Sequence, residues 1–333
     1  VAGNRFCVVL SLKETMFRSI LTSSFCVVIS SVILLSSVPE GVAAPGDADE
    51  QAILAAGARA FAWIENHRAT PEDGGLPDMI DEGVSFRVFR SLARTDSQRD
   101  RYGHLFQRQM VSLNQHAEFE RWVSRPQKSL FEHYHLVLAA HLAEVAGEPN
   151  PRATVIREQA RQALTTMTTA HPSVQLTTTL FLAGEGAAAD TDNGALLAAS
   201  LIERISQDQH FITLSAEVAT PDQQHSASWL LYALIHEVVA LTDFGHRPVS
   251  PWLAVRRDAV VRVLLDGVTW ARVQQNRDLV AELIVTLYFL KEPLHAEVQT
   301  ALDELVASQQ PDGSWGASAT TRRPNKVRHT VLT

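Results

Sequence analysis

The chain is poor in cysteine. Two are present in 333 residues, Cys7 and Cys26, and both fall in an N-terminal stretch that reads as a leader. The rest of the chain has no thiol, which excludes disulfides, thiolate metal ligands and a cysteine nucleophile from the folded body. Basic charge is also short: 29 Lys and Arg stand against 37 Asp and Glu, a formal net charge of −8. No basic footprint invites nucleic acid or an anionic membrane surface. Aromatic residues are 7%, little for a protein that grips sugars or single strands by stacking. No stretch alternates in the two-residue period of a β-strand. "GEGAAADTDNG" has glycines but no Lys-Ser/Thr and no preceding strand, so it is not a phosphate loop, and no G-x-S-x-G elbow supports a serine hydrolase. "EDGGLPDMIDEG" misses the alternating acids and final Glu of a calcium loop and reads as a loop and helix start.

The N-terminal stretch has its own chemistry. Residues 19–39, "SILTSSFCVVISSVILLSSVP", carry no charge, Arg18 precedes them, and "GVAAPGD" supplies small residues for cleavage after Ala43 or Ala44. A basic flank, an apolar run and a small-residue end are the parts of a secretory signal. The expectation is a signal peptide over residues 1–44, with Met16 as an alternative start, then one helical domain over 45–333. The competing reading is a retained anchor, since an uncharged run of this length can span a bilayer; its serines argue against that. The expected product is secreted or extracytoplasmic, with no stable membrane insertion after processing.

The remainder falls into segments of helical period separated by short Gly, Pro, Asp or Asn punctuation. Helices are expected near 50–67, 79–94, 98–121, 129–147, 152–169, 173–184, 192–207, 224–244, 251–271, 277–290 and 294–309, with a twelfth starting near Lys326. Connections this short make neighbouring helices antiparallel hairpins. The even-numbered helices are more uniformly apolar and the odd ones more amphipathic, as inner and outer helices are. The expected fold is all-α, an α/α barrel (toroid) of about six helical hairpins with its last inner helix cut short; an open solenoid is the other closure.

The stretch "YALIHEVVALTDFGHRP" (232–248) carries the most chemistry. Its His-Glu pair opens the zinc-protease signature, but the second histidine would have to be at 240, which is Ala. One helical turn then cannot present two imidazoles to a metal. On a wheel at about 100° per residue, His225, Trp229, Tyr232, His236 and Asp243 share one stripe about 27 Å long. Core stripes are normally Leu, Val and Ala, so a polar and aromatic one suits a cavity wall. His236 and Asp243 are about 10.5 Å apart along the axis, too far to chelate one zinc as a pair. Gly245 suits a left-handed helix cap. A second constellation is "NRDLVAELIVTLYFL", where Asp278 and Glu282 share a face four residues apart. First-turn acids suit the helix dipole, which accounts for Asp278 but not for Glu282. His329 would sit at the same barrel end as Asp278. In "FEHYHLVLAAH", His133, His135 and His141 diverge too far around the helix to meet on one ion, and Glu132 and His135 are a plausible i,i+3 pair.

Two resemblances follow from these motifs. "LDELVASQQPDGSWG", with Gln309, Gly313 and Trp315 at Q-x3-G-x-W spacing, resembles the Gln–Trp turn of terpenoid cyclases and the matching turn of prenyltransferase toroids. That implies an outer helix leading into an inner one. The D-x-D-D acid motif of the cyclases and the cysteine ligand of the zinc prenyltransferases are absent, so neither chemistry is carried over. "YALIHEVVALTDFG", followed by "DLVAEL" and "RHTVL", is similar to an uncharacterised bacterial all-helical family with the pattern Y-x-L-T-H-x-x-F-Y-L-T-D-F-G. This chain departs from it at Ile235 and Ala240. The resemblance implies a polar set of His236, Asp243, Asp278, Glu282 and His329, without a reaction. The expected protein is an acid–base or metal-assisted enzyme taking a small-molecule or peptide ligand in a central cavity, with metal and cofactor left open. The alternative is a non-catalytic helical-repeat scaffold.

Overall fold

The computed structural model describes residues 47–66, 75–93, 95–166, 172–183, 194–208, 211–212, 214 and 221–315. The expected signal peptide, the twelfth helix and His329 lie outside these residues. Among the described residues there are fourteen helices and no strand. They are α1 (Asp47–Asn66), α2 (Leu76–Leu92), α3 (Asp96–Asn114), α4 (Ala117–Ser124), α5 (Leu130–Val145), α6 (Ala153–Thr166) and α7 (Pro172–Ala183). Then come α8 (Gly194–Ala199), α9 (Leu201–Gln207), α10 (Pro221–Thr242), α11 (Pro251–Ala254), α12 (Arg257–Val273), α13 (Arg277–Phe289) and α14 (Ala296–Ala307). None of them is long and apolar enough to cross a membrane.

Local chemistry sets the ends of these helices. Thr95 and Ser129 begin α3 and α5 with capping boxes completed by Gln98 and Glu132, each hydroxyl accepting from an otherwise orphaned backbone N–H. Three expected helices are each broken in two. The segment expected over 98–121 stops at Asn114 and restarts at Ala117, where His116 Nδ1 accepts from the Glu118 N–H. Ser200 splits the segment expected over 192–207 by capping Glu203 N. The one expected over 251–271 breaks at Val255 and Arg256, between α11 and α12. A polar cap inside a periodic pattern leaves the apolar spacing intact, so the period alone does not show the break.

Packing separates the helices into two sets. Helices α2, α5, α7, α10 and α13 touch in that order, each against the next. They are mostly buried on all sides: in α13 every residue from Leu279 to Leu287 is buried. Helices α3, α6, α9 and α12 pack against this row with amphipathic faces. In α12, for example, Val260, Val261, Val263, Leu264, Val268 and Ala271 are buried while Arg262 and Thr269 stay exposed. Helix α14 packs on α12 and α13, and also on α1. Helix α1 in turn sets Phe61 against Phe89 of α2 and Tyr102 of α3, at 6.0 and 4.8 Å between ring centroids.

The Gln309-Gly313-Trp315 turn makes the contact between the far ends of the chain. Gln309 Oε1 accepts from Arg59 Nε and Nη2 at 3.0 and 2.7 Å, and its Nε2 donates to the carbonyls of Ala56 and Gly313. Gly313 has φ +89°, and a Cβ there would lie 2.6 Å from the Arg59 carbonyl oxygen, so only glycine fits. Trp315 is buried and donates from Nε1 to the Leu305 carbonyl at 2.8 Å.

Candidate functional site

The inner helices carry a buried polar group at two levels. At the first, Tyr134 of α5 faces His236 of α10, ring centroids 6.4 Å apart and planes 20° from parallel. The Tyr134 phenol is pushed up by burial, and further by the nearby carboxylates of Asp81 on α2 and Glu282 on α13. Three other helices, α2, α10 and α13, therefore each place a titratable group near Tyr134. Asp81 and Glu282 are buried, and Glu82 beside Asp81 is too. Burial alone depresses His236 to about 4, because a desolvated imidazole resists taking a charge. Its Nε2 is buried, and at neutral pH it is an unprotonated base.

At the second level, about two turns toward the C-terminal ends of the same helices, Asp243 is gripped by two residues. Arg87 Nη2 of α2 donates to Asp243 Oδ2 at 2.6 Å, and His141 Nε2 of α5 lies 3.1 Å from Asp243 Oδ1. All three side chains are at most 5% exposed. Arg247 Nε stands 3.9 Å from Oδ2, and His246 Nε2 lies 3.4 Å from the Arg87 carbonyl. Burial by itself would raise the Asp243 carboxyl. The hydrogen bond from His141 and the charge of Arg87 outweigh it and hold the carboxyl well below its usual range. Among the described residues, His141 Nδ1 has no hydrogen-bond partner.

The backbone under Asp243 is strained. Asp243, Phe244 and Gly245 follow one another with φ of 46, 57 and 77°. Gly245 takes that conformation freely, as expected of a cap. Asp tolerates it, while Phe244 costs on the order of 1–2 kcal/mol. The Phe244 side chain is fully buried and stacks on Phe181 of α7 at 5.7 Å. Gly245 lies so close to Phe289 of α13 that a Cβ would come within 2.5 Å of its ring.

The expected site residues fall into three groups. His236 stacks on Tyr134, and Glu282 lies near enough to act on the same phenol. Asp243 lies at the second level, in an ion pair, while also sitting in the cap. Asp278 is half-buried in the first turn of α13, one turn before Glu282 and after the Asn276 cap. His329 lies outside the described residues. Of the wider stripe on α10, His225 is exposed and Trp229 and Tyr232 are half-buried, so its polar character deepens along the helix.

Several residues in the cluster carried no expectation. Asp81, Tyr134 and Arg87 each come from a helix other than α10. His141 was set aside because it diverges from His133 and His135, yet its partner is on another helix. Glu237, the Glu of the His-Glu pair, is structural: its carboxylate accepts from Ser173 Oγ at 2.6 Å and from the N–H groups of Leu201 and Ile202 at 3.0 and 3.1 Å. It thereby caps α9 from a neighbouring helix. The Glu132–His135 pair is not formed. Glu132 accepts from Ser129 and Arg125, and His135 Nδ1 lies 3.0 Å from the Phe131 carbonyl among the rings of Phe131, Tyr134 and Trp122.

Among the described residues no group of three or more His, Asp or Glu is placed to hold a metal ion. A small pocket of about 20 Å³ lies between α9 and α12, lined by Ile205, Ile212, Ala259 and Arg262 among others, and none of the cluster residues reaches it.

These features define an all-helical protein with a buried polar cluster shared among its inner helices. The chain belongs to the family described as "Domain of unknown function (DUF6895)", whose pattern matches residues 52–330. No curated protein and no solved structure matches it.

Proposed function

We propose that this is an exported α/α-toroid protein of about six helical hairpins, with an interior acid–base site for a small-molecule or peptide substrate. The carrying observation is the convergence of Asp81, Tyr134, His236 and Glu282, one from each of four helices. A neutral imidazole, a neutral phenol and carboxyl groups in one dry place are the donors and acceptors that general acid–base catalysis uses. Catalytic residues are also where burial and like charge displace proton affinities furthest.

The toroid is supported by the order of contacts. Helices α2, α5, α7, α10 and α13 would be five inner helices, and residues near 326–333 would supply the sixth between α13 and α2. The tie from Gln309 to Arg59 joins the outer helices at that point. His329 would then enter the interior near Asp278. The stretches "YALIHEVVALTDFG", "DLVAEL" and "RHTVL" would be the signature that carries the site, and export rests on the uncharged run before Pro39.

The test is turnover of the purified protein against a panel of chromogenic glycosides, esters and amides, with His236→Ala and Tyr134→Phe alongside. Turnover lost in both variants, with Tm unchanged or higher, supports the site, because functional clusters trade stability for activity. If Tm falls and no reaction is lost, the cluster is structural. Saturable ligand-induced stabilisation without turnover points instead to a binding protein.

A further inference from the structure

The two polar levels are built from the same three helices. Arg87 follows Asp81 by six residues on α2, His141 follows Tyr134 by seven on α5, and Asp243, just past the end of α10, follows His236 by seven. Seven residues are about two turns, so Tyr134 and His141 share a face about 10 Å apart along α5, while Arg87, six residues on from Asp81, is turned about 120° from it around α2. Both Asp243 oxygens are engaged, one by Arg87 and one by His141, which crosslinks α2, α5 and α10 at one point.

Asp243 takes the left-handed position that closes α10, with its N–H on the Ala240 carbonyl and the Phe244 N–H on the Val239 carbonyl. A glycine there would adopt φ 46° without steric cost, so the cap itself does not call for a carboxylate. What aspartate adds is a carboxylate aimed inward from a strained turn. Such a turn persists only where its surroundings over-determine it. Here Phe181 holds Phe244, Phe289 abuts Gly245, and the His246 ring lies against the Arg87 carbonyl. The turn thus touches α2, α5, α7 and α13 together.

We propose that Arg87, His141 and Asp243 are positioning residues: their buried network fixes the register of α2, α5 and α10, and so brings Asp81, Tyr134 and His236 to one place. This rests on the site proposed above. None of the three is assigned contact with substrate.

The experiment follows the His236 imidazole by NMR titration in the full chain, its signal assigned by loss in His236→Gln. His141→Leu removes the donor to Asp243, His141→Gln keeps an N–H at nearly the same reach, and Asp243→Asn removes the charge. Misregister would open the dry contact around His236 to water. In His141→Leu and Asp243→Asn its pKa should then rise by a unit or more from about 4, while His141→Gln stays near the parent value. A fall in Tm with the His236 titration unmoved would overturn the proposal and leave the network as an anchor of the turn. Where His141→Leu or Asp243→Asn gives no folded protein, Arg87→Lys, which keeps the charge and shortens the reach, is judged by the same two outcomes. The readout needs neither ligand nor turnover. A shifted His236 in a protein without activity would keep the positioning role and sink only the acid–base reading.

Discussion

Tyr134 and His236 lie nearly parallel, 6.4 Å between ring centroids, on two inner helices that each carry a second polar residue two turns on. The contact shields the imidazole, whose Nε2 is buried, and sets a pH dependence. The His236 folded value is about 4, against about 6.5 for a free histidine. Between these values the unfolded chain binds the proton and the folded one does not, so stability falls as pH drops from 6.5 toward 4. Between pH 7 and pH 5 the loss from this one group is about 2 kcal/mol. Urea unfolding at the two pH values should show that difference shrinking by this amount in His236→Leu.

Asp243 acts in a lower window and for the opposite chemical reason. Its folded carboxyl is held below the usual range by His141 and Arg87, against its burial. A carboxylate stabilised in this way contributes fully above the unfolded value of about 3.9, and the contribution is lost as pH falls through the folded value. Acid unfolding below pH 4 should therefore be steeper in the parent chain than in Asp243→Asn. The variant should be less stable at pH 7, and the gap should narrow toward pH 2.

Glu237 tests the structural half of the His-Glu pair. Removing its side chain in Glu237→Ala leaves two buried N–H groups at the start of α9 and the Ser173 hydroxyl without their acceptor. The expected cost is about 3 kcal/mol, read as a fall in Tm. Burial raises the Glu237 carboxyl despite those hydrogen bonds. With its folded value above the unfolded one, the stability gained by protonation is present at low pH and lost as pH rises.

Gly313→Ala should destabilise strongly for a reason unrelated to the interior. The added methyl would meet a backbone oxygen at 2.6 Å in a left-handed turn, a cost of roughly 2–4 kcal/mol. Gln309→Ala should be milder on Tm but should raise amide exchange in α1 selectively, because Ala56 and Arg59 lose their partner. Unchanged exchange in α1 would show that the Gln309 tie does not hold that helix.

What could be read from the sequence was whatever repeats at fixed spacing. Helical period located the segments, and the contrast between uniform and one-sided apolar patterns separated α7 and α13 from α6 and α12. The same wheel put His236 and Asp243 on one stripe, and four-residue spacing singled out Glu282. It could not show partners. Arg87 lies within "SFRVFRSL" as an ordinary helical cation, and only the fold brings it to Asp243. His141 was weighed against other histidines of its own helix, when the group that binds it is on α10. Glu237 looked like half of a metal motif because its true ligands, the N–H groups of Leu201 and Ile202, carry no side-chain signature. Ser200, which caps α9, was hidden inside a run of apolar spacing.

The bond between Arg59 and Gln309 joins positions 250 residues apart. Closing so long a loop costs entropy that nothing local repays, and domains of this size assemble in stages. As the chain emerges from the ribosome, α1 comes early and remains without its outer partner until the Gln–Trp turn appears. Ala56 and Arg59 must wait through nearly all of synthesis for their partner in Gln309. The Gln309-Gly313-Trp315 turn is therefore a latch on folding order: the first helix described is also among the last to be secured, and damage to that turn would loosen α1 first.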